Sequence, residues 1–147
     1  MVIVRSGKLF AVVCAAFLVC GAVKSVAAEA AKGPVDAFKQ FVKAALVDLD
    51  AEKAAAFGAD EKVQKELLHE LGAFKQGYQQ LVKRAEAKDP RAVETLKKYK
   101  ARIGKLQVID MMVQGENTVL TVTFDGKNKS KVVMKQVKKA WKIVSLD

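Results

Sequence analysis

Hydrophobic and polar positions alternate with a period of two along residues 105–147 and with a period of three to four along most of the preceding chain. Residues 106–113 are apolar and partly alternating, and Gly115-Glu116-Asn117 follows as a turn. Residues 118–124 are almost all β-branched or aromatic, a composition that packs well on a pleated surface. Asp125-Gly126 supplies a second turn, residues 131–137 a third strand, Lys138-Lys139-Ala140 a reversal and residues 141–146 a fourth strand. Short strands joined by tight turns become antiparallel neighbours, so the pattern predicts a four-stranded meander. Leu120, Val122 and Phe124 share one face of the second strand. Matching them across the hairpins selects Ile109, Met111 and Val113, then Val132 and Met134, then Trp141 and Ile143, as the buried face. Thr121, Thr123, Lys131, Lys135 and Lys142 fall on the other. The apolar face then needs a cover, which the helices must supply.

Pro34 suits a first helical turn, and Val35, Phe38, Val42, Ala45, Leu46 and Leu49, widened by Phe41, recur at helical spacing. Asp48 and Asp50 interrupt that stripe, and residues 51–57 predict a short second helix ended by Gly58. Asp60 caps a third, whose apolar positions are Val63, Leu67, Leu68, Leu71, Phe74, Tyr78, Leu81 and Val82. Gly72 and Gly77 each cost about 1 kcal/mol there relative to alanine, which predicts a bend, a close crossing or two shorter pieces. Asp89 and Pro90 open a fourth helix with Val93, Leu96, Tyr99 and Ile103 facing inward, and Gly104 ends it. The predicted fold class is α+β, with N-terminal helices packed on a C-terminal four-stranded antiparallel meander and residues 34–147 forming a single domain.

Residues 1–28 have the three parts of a secretory signal: Arg5 and Lys8, an uncharged apolar run over 9–23, and small residues at Val26-Ala27-Ala28 or Ala28-Glu29-Ala30. That run of about 15 residues is short of the roughly 20 needed to span a bilayer, which points to cleavage and export to a periplasmic or secreted destination. Phe17-Leu18-Val19 before Cys20 resembles a lipoprotein site, although Val19 is larger than the usual Gly or Ala, so lipid anchoring is the alternative. Residues 29–33 form a tether.

Removing the leader changes the chemistry available. Cys14 and Cys20 are the only cysteines and both lie within it, leaving no disulfide, thiol nucleophile or thiolate ligand. It carries three of the 26 basic residues (Arg5, Lys8, Lys24) and none before residue 29 of the 16 acidic ones, so a net charge of +10 falls to +7.

Helices followed by a meander ending in Trp-Lys-Ile resemble the small bacterial envelope domains of the nuclear-transport-factor-2-like superfamily, in its lumazine-binding-like group of unknown function. The likeness is carried by residues 35–49 with Asp48-Leu49-Asp50-Ala51-Glu52-Lys53-Ala54, by Gly115-Glu116-Asn117 before Thr118-Val119-Leu120-Thr121-Val122, and by Trp141-Lys142-Ile143. In the last hairpin Lys138-Lys139-Ala140 stands where that family usually has Asp-Gly. The resemblance implies a curved sheet wrapped around a conical apolar pocket and no single activity.

His69 is the only histidine, which excludes a histidine-based triad or multi-histidine metal site within one chain. With Glu66 and Glu70 it reads as a surface histidine among carboxylates. Asp110 interrupts an apolar strand but points away from the core with Thr121, so it is not assigned as a general base. Phe38, Phe74, Tyr78, Tyr99, Gln136 and Trp141 are the pocket candidates, aromatic walls with a few polar groups; core packing explains the aromatic ones equally well. Lys127, Lys129, Lys131, Lys135 and Lys142 make a basic face suited to anionic lipid or glycan, and the lack of interleaved aromatics argues against nucleic acid. The expected function is a non-catalytic envelope binding module without cofactor, taking a small apolar ligand or an envelope protein through the cone, with homodimerisation left open. The alternatives are an anionic-surface binder and an isomerase-like enzyme.

Overall fold

The computed structural model describes residues 31–147; the leader expected over residues 1–28 lies outside the described residues. Helix α1 (Pro34–Val42) runs into a π-helical turn (Lys43–Val47). Helices α2 (Ala51–Ala55), α3 (Glu61–Glu86) and α4 (Pro90–Ile103) follow. Strands β1 (Gln107–Gln114), β2 (Asn117–Thr123), β3 (Lys129–Val137) and β4 (Ala140–Leu146) form one antiparallel sheet in the order β1-β2-β3-β4. The fold is α+β, helices followed by a four-stranded antiparallel sheet.

Aspartates start three of the helices. The carboxylates of Asp50, Asp60 and Asp89 accept from the backbone N–H groups of Lys53, Val63, and both Arg91 and Ala92, satisfying donors that a helix start leaves unpaired. The first helix stops short of the stripe expected to reach Leu49. The π turn widens the buried face so that Ala44, Ala45 and Leu46 are all inside, and Leu49 then takes a left-handed conformation (φ 54°) that ends the run. Helix α3 passes through Gly72 and Gly77 as one 26-residue helix. A Cβ at either glycine would meet nothing within 4 Å, so neither marks a close crossing.

The core lies between the helices and one face of the sheet. Phe38, Phe41, Leu46, Val63, Leu67 and Leu71 meet Leu120, Val122, Val132, Met134, Ile143 and Leu146, all buried. Leu68, expected on the inner stripe of α3, is 43% exposed. Of α4 only Ala92 is fully buried, and this helix packs along α3 rather than across the sheet.

The helical cover is narrower than the sheet, and this overturns the inward assignment of the first strand. Ile109, Met111 and Val113 are 44%, 53% and 70% exposed. A bulge at Ile109 shifts the register, so that Val108 rather than Ile109 stands beside Val122. Val108 packs at the margin of the core, and the rest of β1 runs past it.

The turns differ in how well their residues suit them. Gly115 has φ 61° at the first position of the two-residue β1–β2 loop, where a type II′ turn wants glycine. The β3–β4 loop instead holds two lysines in left-handed conformations, Lys138 at 48° and Lys139 at 67°, a strain that side chains of this kind rarely accept.

Candidate functional site

Two surfaces have the character of a binding site. The first is β1. Ile109, Met111, Met112 and Val113 are each between 44% and 70% exposed, and together they present on the order of 400 Å² of apolar surface. Pairing of Met111 with Leu120 and of Met112 with Val119 puts these neighbours on opposite faces of the sheet, so β1 is bare on both. It is also an edge: among the described residues no other strand borders its outer side. Asp110 lies on the open face opposite Thr121, is exposed, and accepts the backbone N–H of Met111 at 2.8 Å. Its carboxylate thus serves local backbone and lines neither of the two hollows described below.

The second surface is a cleft of about 230 Å³ between α3 and α4, lined by Ala73, Phe74, Gly77, Tyr78, Leu81, Thr95 and Tyr99. Three of the six pocket candidates, Phe74, Tyr78 and Tyr99, therefore meet, in a cleft whose lining comes from the two helices alone. Phe74 and Tyr78 are four apart on α3, so they share a face that Tyr99 approaches from α4. Phe38 is fully buried in the core, Trp141 is half-buried at its margin, and Gln136, paired with Trp141, is exposed where the cover has ended. A wider hollow of about 560 Å³ at the start of α3 is bordered only by Asp60, Glu61, Lys62, Lys65 and Glu66. There Glu61 and Lys65 pair at 2.6 Å, both exposed.

The register puts Lys129, Lys131, Lys135 and Lys142 on one face with Thr121 and Thr123. Two of them are engaged: Lys135 lies 3.4 Å from Glu116, and Lys142 donates to the Ala56 carbonyl at 2.5 Å. Val119 and Val133 interrupt the row, leaving a mixed surface. Lys127 belongs to the β2–β3 turn, where its N–H and that of Asn128 donate to Asp125. These bonds hold the Asp125 carboxyl at about 2.

His69 is exposed, and among the described residues no group of acids, histidines and cysteines has the arrangement of a metal site. Glu66 and Glu70, one turn apart on α3, each bury one carboxylate oxygen where no donor reaches it. Burial first, then repulsion from Glu66, raises the pKa of Glu70, and His69 partly offsets this. A carboxyl that ionises less readily when folded contributes its full stability below the ordinary glutamate range, and loses it as pH rises through the raised value. Glu70→Gln is therefore expected to raise Tm by about 1–3 °C at pH 7 and by nothing near pH 4, as measured by calorimetry at the two pH values.

No family model matches the chain, and no match is found among curated proteins or solved structures.

The β1 surface was missed by the period-two argument because that argument presumes a cover as wide as the sheet. A signal was present all the same. Met111, Met112 and Val113 are consecutive, hence apolar on both parities, and among the described residues no strand precedes β1 to shield the edge.

Proposed function

We infer that the protein is a non-catalytic binding module whose working surface is the β1 edge, where an extended segment of a protein partner adds as a further strand. The exposure of four large apolar side chains along one open edge supports this best. Strand addition uses main-chain hydrogen bonds for affinity and alternate side chains for selectivity, and β1 offers both kinds of group. Residues 106–126 contain no lysine or arginine but do contain Asp110, Glu116 and Asp125, so the preferred segment is apolar at its centre and neutral or basic at its ends. The leader composition of residues 1–28 supports export, which would place this partner in the envelope.

A panel of eight-residue extended peptides, alternating apolar and polar residues with neutral, basic or acidic ends, tests the reading. Amide NMR shifts confined to β1 and its neighbour β2 are expected, with Kd values on the order of 1–100 μM for basic-ended members and at least tenfold weaker binding by Val113→Lys. Shifts confined to α3 and α4, or none with any peptide, would defeat it.

The α3–α4 cleft favours a second reading, a small aromatic ligand held between Tyr78 and Tyr99. Its volume of about 230 Å³ lies below the roughly 300 Å³ at which drug-sized ligand pockets begin, so it ranks behind the edge.

A further inference from the structure

The two edges of the sheet are treated differently by the chain. At β4, the Ile143 N–H donates to the Phe57 carbonyl at 2.6 Å and the Ile143 carbonyl accepts from Ala59 N–H at 2.8 Å. Gly58 bridges to Ile143, so the α2–α3 connection closes the middle of that edge. At β1 no described segment does the same. Natural sheets blunt a free edge with lysine, proline, a short strand or a bulge. β1 has eight residues and neither lysine nor proline; its defences are the bulge at Ile109 and the hold of Asp110 on the Met111 N–H.

The phase of the hairpin fixes which β1 groups point outward. A two-residue loop makes Gln114–Asn117 the hydrogen-bonded pair, so Gln114, Met112 and Asp110 bond toward β2 while Val113 and Met111 turn their N–H and C=O away. The Asp110–Met111 bond agrees, since it takes an N–H that β2 does not use. An antiparallel partner centred on Met111 would meet outward groups at Met111 and Val113, while the bulge interrupts the alternation at Ile109.

We propose that the strand seated on this edge is β1 of a second copy, related by a two-fold axis through Met111, so that the two sheets join into one of eight strands. This rests on the reading of β1 as the binding edge, and names its occupant.

Three observations favour a second copy. The first is self-complementarity: a two-fold at Met111 sets Met111 against Met111 and brings Val113 toward the bulged Ile109 of the other copy twice over, so that large apolar side chains meet across the seam. The second is charge. The lysine-rich strand β3 lies two strands in from the edge, so the β3 strands of two copies stand about 24 Å apart at roughly 4.8 Å per strand, well beyond the ~8 Å screening length at physiological salt. The same axis brings Lys105, just before β1, toward the hairpin that carries Glu116 in the second copy. The third is area: the exposed apolar side chains of β1 and its outer backbone make an interface at the small end of the range, which fits a weak, reversible dimer with a micromolar Kd. Asp110 must release the Met111 N–H for the strands to join, so it limits association.

Sedimentation of the full chain over about 1–500 μM is expected to show a monomer–dimer equilibrium with Kd on the order of 10 μM. Met111→Lys should raise that Kd at least tenfold with Tm unchanged under monomeric conditions, since Met111 is outside the core. Asp110→Ala should lower it about threefold or more. A covalent readout is independent of these: in a chain with Cys14 and Cys20 changed to Ser, Met111→Cys should cross-link to itself under mild oxidation. A bonded antiparallel pair sets its Cα atoms about 5.5 Å apart, within disulfide reach; Lys131→Cys should not cross-link. A dimer that survives Met111→Lys, or cross-links through Lys131→Cys alone, overturns the interface. A chain that stays monomeric while peptides still bind β1 overturns the second copy and leaves the binding edge standing. Absence of both dimer and peptide binding removes the two together.

Discussion

Phe38→Ala should lower the unfolding free energy by about 3–5 kcal/mol. Phe38 has no exposed surface. It stacks on Phe41 with ring centroids 6.3 Å apart, and Phe41 meets Phe57 edge-on at 6.1 Å. These rings tie α1 to the segment after α2, and their neighbours on the sheet side are fully buried, leaving little freedom to collapse into the space a benzyl group vacates. A domain of this size has roughly 5–15 kcal/mol in total, so the variant should retain a folded baseline with a sharply lower urea midpoint and an unchanged m value. A loss below about 1 kcal/mol would mean that Phe38 lines a cavity, as a pocket residue would.

Gly58→Ala should cost about 2–3 kcal/mol, through backbone crowding rather than lost contacts. A Cβ at Gly58 would sit 2.8 Å from both the backbone nitrogen and the Cγ of Gln64, and 3.1 Å from its Cα. Gln64 cannot withdraw easily, because its N–H is bound to the Asp60 carbonyl at 2.9 Å and its side-chain amide donates to the Gly58 carbonyl at 3.1 Å. Relief must come from moving the 57–59 segment off Ile143. Amide exchange should therefore quicken at Ala59 and Ile143 together, while a Gly77→Ala control, whose Cβ enters open space, leaves both protected. Protection at Ile143 that survives Gly58→Ala would show that β4 holds without this clip.

The sequence made some of these features legible and hid others for definite reasons. Caps at Asp60 and Asp89 could be read because a short carboxylate before an apolar helical stripe has few other roles. The meander could be read because its turns are short and its strands alternate. Whether an apolar stripe is covered depends on where other elements end, and no local pattern encodes that. Hence the pattern expects Met111 and Val113 inside and Gln136 in a pocket, whereas all three are exposed beyond the helices. Gly58 read as a helix terminator, whereas its more demanding role is to let the backbone pass close to Gln64. Phe74 and Tyr78 share a face of α3, as their spacing required, but spacing could not say that Tyr99 of α4 would line a cleft with them.

The clip between residues 57–59 and Ile143 also sets when the chain can fold. Ile143 and Leu146 complete the core, yet they leave the ribosome after every described helix. Until they emerge, the helices of a nascent chain have an apolar face and only part of the surface meant to receive it. Completion must then wait for β4, and a chain stopped before that strand would be left without its closing partner.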